Sequence, residues 1–176
     1  MNRKHAALLL AFACLSTAAM APADPIHSVS EGAFWHHDSG WIFPARIGKF
    51  ERIGIPQDVA GSREAVGWYA RVVGNTRVTA AVEVHPPEAS TDAPADATRP
   101  VSTSARATLP LSGGAIATRN VWAGVDASNV PMTAVYDVER GGWRVRIRFT
   151  VPGGDAAFAA EMDDFVRGQR WDTLAP

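Results

Sequence analysis

Residues 131–151 read Pro131-Met-Thr-Ala-Val-Tyr-Asp-Val-Glu-Arg-Gly-Gly-Trp-Arg-Val-Arg-Ile-Arg-Phe-Thr-Val151. Two alternating runs flank Gly141-Gly142, a pair that tolerates the positive φ of a tight hairpin turn. Folding the chain there pairs Val138 with Val145, Tyr136 with Ile147, Ala134 with Phe149 and Met132 with Val151 on one face. The other face pairs Glu139 with Arg144, Asp137 with Arg146, Val135 with Arg148 and Thr133 with Thr150. A slip of one residue would drive three arginines into the core, so alternation and turn specify a single register. Burying the apolar face at about 1.5–3 kcal/mol per side chain gives a gross stabilisation on the order of 10 kcal/mol. The facing acid–arginine pairs add only about 0.2–1 kcal/mol apiece.

C-terminal to this hairpin, Pro152-Gly153-Gly154 ends the strand and Asp155 is positioned to cap a helix running to about Arg167. Phe158, Met162, Phe165 and Val166 form one apolar stripe, Gly168 ends the helix, and Glu161, Asp163, Asp164 and Arg167 lie off the stripe. The helix is therefore a cover for the apolar side of the sheet, with the Asp163-Asp164 pair on its solvated side. A membrane-surface helix would carry a basic polar face, and this one carries acids.

N-terminal to it, residues 65–85 form a second hairpin around Gly74-Asn75. A two-residue turn would set Val72 against Arg77 and mix the faces. A three-residue turn, Gly74-Asn75-Thr76, pairs Val72 with Val78, Ala70 with Ala80 and Trp68 with Val82, and is expected for that reason. Ser39-Gly40-Trp41-Ile42-Phe43-Pro44 reads as a short strand and Ile47 to Ile55 as another, with Gln57 to Glu64 turn-like. Between the hairpins, residues 86–114 hold five prolines among Ala, Ser, Thr and Asp. That composition predicts a mobile excursion with at most a short helical turn near Ser104–Thr108. Ala115 to Trp122 is weakly strand-like, and Gly124 to Val130 is a turn. The expected fold class is α+β: an antiparallel β-sheet of two hairpins plus N-terminal strands, with the C-terminal amphipathic helix on one face.

The first residues are of a different kind. Asn2-Arg3-Lys4-His5 precedes an apolar run from Ala6 to Met20 and the small-residue stretch Ala19-Met20-Ala21-Pro22-Ala23, the pattern of a secretory signal peptide over residues 1–23. Residues 24–176 then form one domain in the periplasm or outside the cell. Cys14 invites a lipidation reading, but Ala11-Phe12-Ala13 lacks the leucine that such a site places three residues before the cysteine. Because Cys14 is the sole cysteine, its removal leaves no disulfide, thiol nucleophile or cysteine-bound metal. Losing Arg3 and Lys4 also takes the formal charge from −1 to −3. A weakly acidic chain does not neutralise phosphates, which argues against nucleic acid as a partner. No further run is long and apolar enough to span a membrane.

The order Ser39-Gly40-Trp41-Ile42-Phe43-Pro44, Gly48-Lys49-Phe50, two hairpins and a closing helix with Phe165-Val166-Arg167 and Trp171 resembles secreted bacterial proteins with the α/β/α sandwich plan of the PsbP and DcrB type. The resemblance covers most of residues 34–171. It implies an antiparallel sheet with the terminal helix on one face, and it transfers no catalytic residue. The proline-rich 86–114 departs from the more helical segment that plan carries there.

No phosphate-binding loop, nucleophile elbow or zinc-protease motif is present. The chemistry-bearing stretches are Phe34-Trp35-His36-His37-Asp38 and the arginines of the last strand. His36 and His37 are adjacent, so on a strand they point to opposite faces, and His85 is far away in sequence; no metal site and no cofactor is assigned. Arg144 and Arg146 face acids, whereas Arg148 faces Val135. The candidate ligand-binding residues are accordingly Arg146 and Arg148, reading an anionic envelope ligand or an acidic envelope protein. The resulting expectation is an exported, non-enzymatic binding or accessory module. Its alternative is a small envelope hydrolase or metal-dependent enzyme using His36, His37 or Asp38.

Overall fold

The computed structural model describes residues 26–29, 32–59, 63–86, 105–122, 131–152 and 158–174. Outside these lie the expected signal segment with Cys14, most of the proline-rich stretch (87–104), the expected turn over 124–130 and the expected capping residue Asp155. Three short strands, β1 (Ile26–Ser28), β2 (Phe34–His36) and β3 (Ile42–Phe43), make a small antiparallel sheet. The main sheet contains β4 (Arg46–Ile47), β5 (Phe50–Arg52), β6 (Gln57–Val59), β7 (Glu64–Val73), β8 (Thr76–His85), β9 (Ala105–Pro110), β10 (Ile116–Trp122), β11 (Met132–Arg140) and β12 (Trp143–Val151). Its order is β4-β5-β7-β8-β12-β11-β10-β9, with β6 beside β5 on the same edge of β7. All of its pairings among the described residues are antiparallel. One helix, α1 (Ala159–Arg167), follows. The molecule is thus α+β and mostly sheet.

The β11–β12 register is the one its sequence specifies, from Met132 opposite Val151 to Glu139 opposite Arg144. Gly141 and Gly142 take φ of +57° and +79°, the conformation that only glycine adopts without strain. The free edge of β12 then aligns β8, with Val145 opposite Val84, Ile147 opposite Val82 and Phe149 opposite Ala80.

The second hairpin departs from expectation. Its turn has two residues, so Val72 faces Arg77 and Trp68 faces Ala81. Gly74 at the first turn position has φ +58°, which suits a two-residue primed turn. Since β12 already fixes which side of β8 is inward, β7 must turn Ala65, Gly67 and Tyr69 toward the core and Val66, Trp68, Ala70 and Val72 away from it. Apolar matching within the hairpin pointed the other way because β7 is apolar on both faces. Three other expectations are corrected. Gly48 (φ +55°) breaks the Ile47–Ile55 run into β4 and β5, and Gln57–Val59 is strand rather than turn. Ala105–Pro110, where a helical turn was expected near Ser104–Thr108, is an edge strand paired along β10.

The core lies on one side of the main sheet. Phe165 of α1 meets the rings of Phe50, Tyr69 and Phe149 edge to face at 4.9, 5.2 and 5.3 Å, a geometry worth about 0.5–1.5 kcal/mol per pair beyond area burial. Phe158, Met162 and Val166 are buried beside it, so the stripe read from the sequence is the face that docks. Ionic contacts flank the stripe. Glu161 takes Lys49 (3.0 Å) and Arg71, while Asp163 accepts from Tyr136 Oη (2.6 Å) and Arg119 (3.0 Å). Asp163 is therefore a docking residue, not one of a solvated pair. The small sheet and the C-terminal turn extend this cover, with Trp41 against Trp171 at 5.1 Å.

Gly67 shows how closely the small sheet is seated, since a Cβ there would lie 2.5 Å from Phe43 Cδ1. Overpacking of this kind costs about 1–3 kcal/mol. Gly67→Ala should therefore lower unfolding free energy by that amount in urea titrations, and should cost clearly less in a Phe43→Leu background. Equal penalties in the two backgrounds would mean that the strain lies elsewhere.

Candidate functional site

The second face of the main sheet carries the charges. Reading across the strands, one row runs Glu64–His85–Arg144–Glu139 and the next Val66–Glu83–Arg146–Asp137–Thr118. A third runs Trp68–Ala81–Arg148–Val135–Asn120. All the cover described above lies on the opposite face. Period-2 alternation in β8, β11 and β12 places these polar positions outward.

Each arginine of β12 has an acid. Arg144 reaches Glu139 at 3.5 Å, Arg146 holds Asp137 at 2.8 Å, and Arg148 reaches Glu83 at 3.6 Å. The expected lack of a neutraliser for Arg148 holds within its hairpin, where it does face Val135, but β8 supplies one from the other side. Arg71 and Arg77 do not join it: Arg71 is on the core face with Glu161, and Arg77 lies opposite Val72 near the hairpin tip. Of the three ladder arginines, Arg148 is the most exposed, its side chain retaining 34% of its accessible surface against 18% for Arg146.

His85 was not a candidate from the sequence, being far from any other histidine. Strand pairing places it between Glu64 (Nδ1, 3.2 Å) and Glu83 (Nε2, 3.6 Å). Glu83 raises the imidazole pKa most, burial opposes, and Glu64 adds to the rise. Burial pushes Glu83 itself upward, but His85, Arg148 and Arg146 together outweigh it and hold the carboxyl below its ordinary value. The result is a half-buried, internally neutralised band of charge.

Beside that band lies an apolar strip. The outward side of β7 is Val66, Trp68, Ala70 and Val72, with Trp68 48% and Val72 68% exposed. Ile53 donates its backbone N–H to Trp68 O at 2.7 Å and stands next to it, 39% exposed. Clustered exposure of large apolar side chains marks an interaction surface more often than a bare one.

The His36-His37-Asp38 stretch divides. His36 is fully buried, with its ring edge-on to Trp143 at 5.9 Å and Nδ1 2.7 Å from Ser39 Oγ. His37 points outward with His27 and Trp35, its ring 6.5 and 5.2 Å from theirs. Asp38 accepts from Arg63 at 2.9 Å. His37 Nδ1 also lies 3.4 Å from Asp38 Oδ1, but the buried His36 bonds to Ser39 instead, so the three do not converge on one substrate position. Among the described residues no three His, Cys, Asp or Glu side chains gather as a metal site, and no helix is long and apolar enough to cross a membrane. Comparison with protein families, with curated proteins and with solved structures finds no match to this chain.

The His85 cluster predicts a pH dependence. A histidine whose folded pKa is raised adds stability that is complete below its unfolded value of about 6.5 and is lost as pH rises through the folded value. His85→Gln should thus cost more stability at pH 6 than at pH 9, measured as the difference from the unsubstituted protein in urea unfolding. An equal cost at both pH values would show that His85 is not charged in the folded state.

Proposed function

We propose that this is an exported, non-enzymatic binding or accessory module of the bacterial envelope, and that the outward face of the main sheet docks a protein partner. The carrying observation is β7. It is apolar on both faces, and its outward strip of Val66, Trp68, Ala70 and Val72, with Ile53, lies on the side away from the helix. Strands that are apolar on both faces belong to sheets covered on both faces. The basic, apolar and small-residue segments at residues 1–23 support export to the periplasm or beyond.

Arg146 and Arg148 belong to the same surface, and exposure ranks them. An anionic group on the partner would compete with Asp137 at 2.8 Å from Arg146, and with Glu83 at 3.6 Å among the contacts of the more exposed Arg148. Arg148 is the arginine that would take it. The kinship with PsbP- and DcrB-type sandwiches is supported by the antiparallel sheet and the terminal helix on one face. In that plan a second layer covers the other face, which here is the proposed docking side.

A photo-crosslinking residue at position 68, introduced in cells of the source organism, should give a discrete crosslinked product. The same residue at exposed Asp164, on the helix side, should not. Trp68→Ser should remove partner binding while changing stability by less than about 1 kcal/mol, as for a surface position. Equal crosslinking at both positions, or intact binding by Trp68→Ser, would refute the docking face.

A further inference from the structure

The small sheet is attached to the main sheet in two places of different chemistry. At one end the Arg52 guanidinium donates to the carbonyls of Phe43 and Gly32 and lies 4.5 Å from the Phe34 ring. This end continues directly into β4, and an arginine keeps its charge through the physiological pH range. At the other end sit His36, Ser39 and Asp38 of the β2–β3 turn against Trp143 and Arg63. His36 donates its backbone N–H to Trp41 O and accepts at its carbonyl from Gly40 N, so the imidazole is carried by a closed turn. Ser39 Oγ accepts from the Trp41 N–H and contacts His36 Nδ1. His36 Nε2 is buried with no hydrogen-bond partner among the described residues.

Arg63 is the main sheet's half of this contact. It is the single non-glycine residue with positive φ (+58°) among the described residues, a conformation side chains rarely adopt. Its guanidinium binds Asp38 at 2.9 Å and lies 5.5 Å from the centre of the Trp143 ring, the ring that His36 meets edge-on. The tight contacts over-determine an unfavourable backbone, the circumstance in which strain persists.

We propose that His36 and Arg63 form an acid-released latch, which lets the His36 end of the small sheet swing away from the main sheet while the Arg52 end stays tied. The imidazole faces Asp38 and His37 from its own turn, Asp58 from β6 and Arg63 from the start of β7. Burial dominates and disfavours the imidazolium; Asp38 and Asp58 favour it, and Arg63 and His37 oppose it. The closed form therefore binds the proton less readily than an open form in which the ring is in water, so acid drives opening. Asp38 does not titrate in the same range, because the Arg63 hydrogen bond outweighs its slight burial and holds its carboxyl below the ordinary value. One proton per opening event means that the opening equilibrium rises by up to about tenfold per pH unit below about 6.5.

Hydrogen exchange of the purified protein, corrected for intrinsic rates, measures this directly. Between pH 7.5 and 5.5 the amides of residues 36–41 should lose up to about tenfold in protection while those of β8 and β12 stay constant. His36→Gln should flatten that dependence, and Asp38→Asn should raise opening at every pH without removing the slope. The His36 ring signal in NMR should titrate below the ordinary imidazole value, at the acid end of the range where protection falls, a readout that holds even if His36→Gln fails to fold. Protection that is flat with pH, a slope that survives His36→Gln, or His36 titration at or above about 6.5 would each overturn the latch.

Discussion

The seating of Phe165 among Phe50, Tyr69 and Phe149 is the contact from which the remaining packing follows. Those rings come from α1, β5, β7 and β12, which are far apart in sequence, and they meet only if the hairpins are in the observed registers. Strand β7 could not present Tyr69 inward under a three-residue turn, because the alternation would bring Trp68 and Ala70 to the core instead. The two-residue turn at Gly74 and the aromatic cluster thus require each other. Once the stripe of the helix is fixed there, Glu161 and Asp163 fall to either side of it, within reach of Lys49 and Arg71 on one flank and Arg119 and Tyr136 on the other. Such partly exposed pairs contribute modestly in energy, but they define the rotation of the helix on the sheet.

How much of this was legible in the sequence depended on whether one face alone was apolar. In β11 and β12 the outward positions are Glu, Asp, Arg and Thr, so pattern and turn gave a unique pairing that the structure reproduces pair for pair. In β7 both faces are apolar, and the decisive information lay in β12, on the far side of β8. Edge strands were harder still. Ala105–Pro110 has small and polar side chains, and its strand character comes from β10 rather than from its own propensity. The same limit applied to the site. Arg146 with Asp137 could be read within one hairpin, but Arg148 with Glu83 depends on a pairing between strands not adjacent in sequence, and His85 with Glu64 on the two-residue register of the β7–β8 hairpin. Asp163 looked solvated because helical periodicity marks the apolar stripe and is silent about groups that bond along its border.

One fully buried imidazole, His36, and one half-buried, His85, lie on opposite sides of the main sheet, and their surroundings give opposite signs. His85 sits between carboxylates and gains from protonation, whereas His36 sits against indole and guanidinium and loses by it. Their contributions to global stability oppose each other over the range where both respond, so a shallow overall pH profile would conceal two steep local ones. Measurements confined to one face separate them, which a melting temperature does not.

The charge band's internal pairing limits what it could contribute to the proposed docking. Exposed arginines in search of an anion would leave their guanidinium groups unpaired, and here all three in β12 have acids from neighbouring strands. A band already neutralised internally adds little net attraction and imposes a cost on any partner that buries it without replacing its contacts. The free energy of association on the docking reading must then come mainly from the β7 strip, with Trp68 as its largest side chain, while the paired charges determine which surfaces fit beside it. Arg148 is the exception the geometry allows, because it borders that strip and is the most exposed of the three. Affinity and selectivity would therefore reside in adjacent residues of one row, Trp68 and Arg148, separated only by Ala81.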